Sequence, residues 1–585
     1  MKRKLLALFI LMLSLCLCLA LASCGGSGDD GQNDEEENGK NDGGSASQGL
    51  EFKLAEHEKA YVVTGIGTCK DTSIVIPKEH KGLPVKAIGE GAFSNYCTEI
   101  TSVTIPETVT SIGEFAFNSC SSLESVTIPN NVTKINNHTF FNCEKLKSIT
   151  IPNGVTSIGD SAFYGCTSLT SVTIPNGVTS IGASAFEGCA SLKNVVIPNS
   201  IVQIGFGAFY MCDNLQYTEY ENALYLGNEE NPYFAVIGNR SSSNGTVIIK
   251  EDSKIIAGGA FANSNSLTNV VIPNGITSVG EHAFKDSNNL NFNSYDNALY
   301  IGNEENPYLI LIKTNDKSIT SCEINKNTKF IHSYAFYDHR CFEKIEIPNG
   351  VISIGYSAFN GCTGIESIPN SITYLGEFAF YGSDLEALEL PSGITNISSG
   401  AFSNCKYLEN VILHSALITI GDEAFSNCVK LKNLEIPDSV ITLGYKALDG
   451  CENITAIKIP KNMKIIGRGA FAGCAGITSV EIPNGVTAIG SEAFSGCTGI
   501  TNIEIPDSVL TIGDSAFYAC TSLEEVIVPH SVTSIGGYAF AKCRMLTSIV
   551  IPSSVTSLGE YAFYQSYNVT VLCEAKSAPS EVAAP

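Results

Sequence analysis

The sequence predicts a β-rich solenoid, a stack of 23-residue coils built from short strands and single helical turns. Three observations predict it. An Ala-Phe pair returns with its Phe at 93, 117, 140, 163, 186 and 209, then at 261, 284, 336, 359, 380 and 402, and every 23 residues from 425 to 563, departing only as Thr139-Phe140 and Ala447-Leu448, which makes 19 copies. Each copy repeats one apolar set, seen in Cys166, Leu169, Val172, Ile174, Val178, Ile181, Ala185 and Phe186. Sixteen of the 21 prolines follow Ile, Val or Leu at one fixed slot. A period of this length means one supersecondary unit per copy, which cannot bury its own apolar side and must stack on its neighbours.

The chain is read from its N-terminus. Lys2-Arg3-Lys4 precedes an apolar run from Leu5 to Ala22 and then Leu21-Ala22-Ser23-Cys24. A basic n-region, an apolar h-region and small residues before a Cys resemble a bacterial lipoprotein signal peptide over residues 1–23. The resemblance implies cleavage before Cys24 and lipidation of its sulfur. Residues 24–50 follow as a tether of Gly, Ser, Asp and Glu. A segment with almost no apolar side chain cannot collapse, and its acids keep it extended.

Residues 51–91 read as an N-terminal cap with first strands, because Tyr61–Ile66 and Thr72–Pro77 alternate as strands before the first Phe. The solenoid proper spans 92–575. In each copy Val172 and Ile174 have period 2 and read as a strand. Pro175, which cannot donate to a ladder, ends it. Asn176-Gly177 turns the chain, Val178–Ile181 is a second extended piece, and Gly182 closes it. The stretch around Ser184-Ala185-Phe186 has room for one helical turn at most.

Two gaps of 52 residues, from Phe209 to Phe261 and from Phe284 to Phe336, break the rhythm and hold insertions near 217–255 and 292–330. They are copies of one another: Tyr220 to Tyr233 matches Tyr295 to Tyr308 at a spacing of 75. Gly-Asn-Glu-Glu-Asn-Pro between apolar runs reads as the tip of a protruding hairpin. Tyr225, Tyr233, Tyr300 and Tyr308 are the candidate aromatic contacts there.

The pattern Leu169-x-x-Val172-x-Ile174-Pro, then Val178-x-x-Ile181-Gly182-x-x-Ala185-Phe186-x-x-Cys189, resembles the BspA-type (Treponema pallidum-type) leucine-rich repeat, over about residues 51–575. The resemblance implies a curved leucine-rich repeat solenoid with strands on its concave side. It also implies a bacterial surface protein, several members of the family looking like adhesins. Residues 576–585 form a short polar tail.

Thirteen of the 21 cysteines lie three residues after the Phe slot, and Ser264, Ser287, Ser383 and Ser566 take that position in other copies. A small, partly polar buried position accepts either residue, so the ladder reads as free thiols rather than a disulfide framework. No C-x-x-C pair suggests zinc.

The formal net charge is −24. This excludes nucleic acid as a partner and membrane contact other than through the lipid. The eight His carry no nucleophile signature; His332, Asp338 and His339 read as solvated positions in a degenerate copy. No catalytic residue, metal site or cofactor is expected, and the chain is not read as an enzyme. Outward strand positions gather Glu435, Lys458, Glu481, Glu504, Glu524 and Glu525, a candidate partner-binding face. The expectation is a monomeric, lipid-anchored surface protein that binds a protein partner on a host or neighbouring cell. The alternatives are a surface glycan-binding protein and a non-adhesive envelope scaffold.

Overall fold

A computed structural model describes residues 46–574 apart from 56–59, 95–97, 241–244 and 341. The leader, Cys24, most of the tether and the tail 576–585 lie outside the described residues. Within them every regular element is a strand, and no helix occurs.

One coil shows why the sequence folds this way. Ser171–Thr173 is a strand with Val172 buried between two exposed neighbours. It pairs in parallel and in register with Ser148–Thr150 on one side and Asn194–Val196 on the other, each exactly one copy away. Identical copies therefore set identical residues side by side, which fixes the register. Pro175 then accepts from the Val178 N–H at 3.1 Å, closing a tight turn. Ser180–Ile181 forms the second strand, again paired one copy either way. The stack thus carries two parallel ladders, a first built on the Val172 slot and a second built on the Ile181 slot.

The Phe corner is a set of turns and not a helical turn. Ser184 and Gly188 sit at φ 53° and 74°, a left-handed conformation that breaks any helix. It also points alternate N–H groups along the stack. Ser184, Phe186 and Gly188 donate to the carbonyls of Phe206, Ala208 and Tyr210 in the next coil, each at 2.8 Å. This third ladder, of backbone bonds, is the Phe edge. Its rings lie nearly parallel, at 5.2 Å for Phe163–Phe186 and 5.5 Å for Phe186–Phe209.

The two insertions are antiparallel meanders. Thr218–Tyr220, Ala223–Leu226 and Ala235–Asn239 form the first, and Asn293–Tyr295, Ala298–Ile301 and Ile310–Thr314 form the second. Glu221 and Asn222, at φ 42° and 68°, make the first hairpin turn, as the twist of flanking strands demands. The hairpin tips do not protrude. Asn228 donates to the Ile197 carbonyl at 2.9 Å and to Asn199 at 2.8 Å, and the Ile197 N–H returns a bond to Gly227. Asn303 repeats this with Ile272 and Asn274. The tips are laid onto the preceding coil because Asn side chains supply the polar partners its backbone needs.

Twelve of the thirteen ladder cysteines are free and buried. Cys120 is the exception, being disulfide-bonded, so the free-thiol reading does not hold at that position.

Candidate binding surfaces

On the first ladder, each outward slot lies between two buried ones, so every other side chain is forced to solvent. Glu435, Lys458, Glu481, Glu504, Glu524 and Glu525 are all exposed. Lys458 lies opposite Glu481, and Asn502 opposite Glu525. Glu481, Glu504 and Glu525 share a groove of about 1220 Å³ with Ile527, Val550 and His530. Glu435, Lys458 and Glu524 stand outside that lining. Sequence reasoning missed the apolar members of this row. Ile412 and Ile527 are each 64% exposed. Their signal was present as a break in alternation: in Val526-Ile527-Val528 three apolar residues run together where Thr173 stands in the regular copy.

The hairpin tyrosines correct an expectation. Tyr225 and Tyr300 are fully buried. Their hydroxyls accept the N–H groups of Lys250 at 3.1 Å and Asn325 at 3.2 Å. Tyr233 and Tyr308 are half-buried and meet them edge-on, with ring centroids 5.4 and 5.5 Å away. These four rings pack the meander core and offer no open aromatic platform. Glycan stacking on Tyr225 and Tyr300 therefore has no surface to use.

A contact between distant coils shows that the stack curves. Gln203 Nε2 donates to the Tyr374 hydroxyl at 3.0 Å, 171 residues away, and that hydroxyl donates to Glu281 Oε1 at 3.4 Å. Gln203 and Tyr374 belong to the second ladder. The wall facing into this bend is therefore the second ladder, and the first-ladder row lies elsewhere. The enclosed space, about 400 Å³, is lined by Asp160, Gln203, Glu281, Tyr374 and Glu377 among others. Burial pushes Glu281 up to about 7, helped by the neighbouring Glu377 carboxylate, while the Tyr374 hydrogen bond works in the opposite direction.

Each insertion also opens a cleft at the Phe edge, because a meander supplies no Phe corner. The first, of about 710 Å³, lies between Phe209 and Gly259 and is bounded by Tyr210, Met211, Tyr217 and Arg240. Arg240 is ion-paired with Glu219. The second, of about 400 Å³, holds His282, His332 and His339. His332 and His339 are buried, against the expectation of solvated positions. His332 Nε2 accepts the Phe284 N–H at 3.3 Å, and its Nδ1 meets the Ser333 carbonyl at 3.2 Å. Burial lowers the His332 pKa to about 4, which keeps the ring neutral and able to accept. Among the described residues no group of three His, Cys, Asp or Glu side chains is gathered to hold a metal ion.

The coil geometry has its counterpart among known proteins. A family model described as BspA type leucine rich repeat region (6 copies) matches residues 86–223, 239–306, 329–455 and 442–570, well over half of the sequence. The chain belongs to the BspA-type leucine-rich repeat family. Solved structures similar to this BspA-type chain include a leucine-rich repeat protein from Bacteroides ovatus, 23% identical, covering 90% of this chain and 98% of that one, with a TM-score of 0.28. Another is a leucine rich cell surface protein from Faecalibacterium prausnitzii, 23% identical over 90% and 97% of the two chains, with a TM-score of 0.27. A T. pallidum leucine-rich repeat protein is 26% identical over 38% of this chain and 90% of its own, with a TM-score of 0.30. A search of curated proteins finds no match.

Proposed function

We propose that this BspA-type repeat protein is a cell-surface binding protein, held by a lipid on Cys24, whose first-ladder face grips protein partners on host or neighbouring cells. The observation that carries the reading is the groove of about 1220 Å³ in which Glu481, Glu504 and Glu525 flank the exposed Ile527 and Val550. Exposed apolar side chains ringed by charge are the anatomy of a protein contact, in which the apolar centre holds and the charges select. The acidic balance of the face fits a basic patch on the partner. Among the described residues no catalytic constellation is assembled to support an enzymatic reading.

The test uses the purified full chain on immobilised extracellular-matrix proteins and on intact host cells. Saturable binding that is lost when Glu481, Glu504 and Glu525 are all changed to Lys supports the reading. Binding that ignores the triple change removes this face from it. The anchor is tested apart: Cys24→Ser should move the protein from the membrane fraction to the soluble one, and unchanged fractionation refutes lipidation.

A further inference from the structure

The Phe edge is a backbone ladder, and at the first insertion the ladder is left open. In a regular coil Ser184, Phe186 and Gly188 donate to three carbonyls of the next coil. One coil later the corresponding donors are Gly207, Phe209 and Met211. Gly207 reaches the Gly258 carbonyl at 3.3 Å. Among the described residues the Phe209 and Met211 N–H groups find no acceptor. The carbonyls that would have served them, on Ala260 and Ala262, receive no donor among those residues. One wall of the cleft thus presents two free N–H groups and the other two free C=O groups. Buried or half-buried backbone groups left in this state each cost stability unless something fills them.

The second insertion shows that such a gap can be closed from within. There, His332 Nε2 takes the Phe284 N–H and Ser333 Oγ takes the His282 N–H, each at 3.3 Å, leaving only Asp286 of the three edge donors unserved. The duplicated unit has a spacing of 75, so the residues equivalent to His332 and Ser333 are Ala257 and Gly258. Neither has a side chain able to accept. The first cleft is correspondingly larger, about 710 Å³ against about 400 Å³. Tyr210 and Met211, 60% and 57% exposed, stand at its mouth.

We propose that the first cleft is a docking slot for one extended peptide segment of a protein partner, bound as the missing strand of the Phe edge. In an extended chain the N–H and C=O of one residue point to one side and those of the next residue to the other, so alternate carbonyls face one wall and alternate N–H groups face the opposite wall. It is matched to Phe209 and Met211 on one wall and to Ala260 and Ala262 on the other. Tyr210 and Met211 then cover its side chains, as aromatic and Met residues do at interface centres. A carbohydrate or an isolated anion does not present this alternation. The proposal rests on the protein-binding reading above and gives it a second site with its own chemistry.

The probe is a phage-displayed library of linear random peptides, selected on the full-length protein, with enriched sequences then synthesised with blocked ends. Three results are expected. Peptide binding weakens by about tenfold or more in Ala257→His, which copies the plug of the sister cleft, since a bond of this kind is worth roughly that factor. In the wild-type protein, with no substitution, the Phe209 and Met211 amides exchange rapidly and are protected when peptide is added. N-methylation of alternate peptide nitrogens, which removes the donors for Ala260 and Ala262, abolishes binding. The proposal is overturned if no peptide is enriched, or if enriched peptides bind Ala257→His as well as wild type and leave both amides unprotected. Matrix-protein binding that survives Ala257→His but is lost with the triple Glu→Lys change would sink the slot while leaving the surface-binding reading intact.

Discussion

The slot three residues after each Phe accepts Cys or Ser because both carry a hydrogen to donate. From Cys143 to Cys212, and again from Cys428 to Cys543, each thiol points at the carbonyl of the Phe, or Leu448, one coil back, at 3.1–3.2 Å. Ser566 makes the same bond to Phe540 at 2.8 Å, and Ser287 makes it to Phe261. Sequence showed that the slot is small. The exchange of Cys for Ser also marked it as partly polar, but nothing in the sequence named the acceptor, the carbonyl one coil back. The bond predicts that Cys497→Ser is tolerated, while Cys497→Ala destabilises its coil by about 1–2 kcal/mol, read as a lower urea midpoint. Burial also raises these thiols, to about 11 at Cys405 and about 12 at Cys212 and Cys543. At neutral pH they are not thiolates and are poor nucleophiles. Iodoacetamide should therefore label exposed Cys573 first among the described free thiols, with the ladder reacting only in denaturant. Peptide mapping of the labelled sites checks this.

At the scale of elements, the regular coil was legible because one apolar set recurs 19 times and each slot has a single physical job. Alternation marks the first strand, Pro175 stops it, and Phe stacks. The insertions were legible as strands and turns, but not in their packing. Tyr225 and Tyr233 are the same residue in the same short motif, yet one is buried and the other half-buried. What separates them is the Lys250 N–H, 25 residues away, which donates to the Tyr225 hydroxyl. Tyr225→Phe should leave that N–H buried and unpaired at a cost of about 1–2 kcal/mol, with Tyr300→Phe doing the same through Asn325. Equilibrium unfolding of both variants against wild type measures it, and unchanged midpoints would contradict the assignment. The tips make a parallel case. Asn228 Oδ1 accepts the Glu230 and Asn231 N–H groups at 3.0 Å while its nitrogen holds the Ile197 carbonyl. Asn228→Ala should therefore speed amide exchange at both positions and leave the equivalent amides of the second tip unchanged.

Over the whole molecule the contact hardest to read from sequence is the one that closes the bend. Gln203, Glu281 and Tyr374 belong to three coils, and none departs from what its slot tolerates. Only the cumulative curvature of the stack, with two insertions added, brings them together. The contact makes stability depend on pH with a definite sign. An unfolded chain protonates Glu281 near the ordinary value of 4.5, and the folded protein does so at about 7. Between these two values the folded state holds more protons than the unfolded state, so stability falls as pH rises through that window and levels off above it. The groups facing Glu281 agree with this direction. Glu377 and Asp160 bring like charge, and the Tyr374 hydroxyl offsets them only in part. The full linkage for a shift of this size would exceed 3 kcal/mol. Glu281 is only half-buried, so about 2 kcal/mol is the expected loss between pH 4.5 and 7.5. Glu281→Gln keeps a hydrogen-bonding side chain of similar shape but cannot ionise. Its urea midpoint should match wild type near pH 4.5 and exceed it near pH 8. Two curves that stay parallel across that range would mean that Glu281 is solvated in the folded protein and that the bend is held by Gln203 and Tyr374 alone.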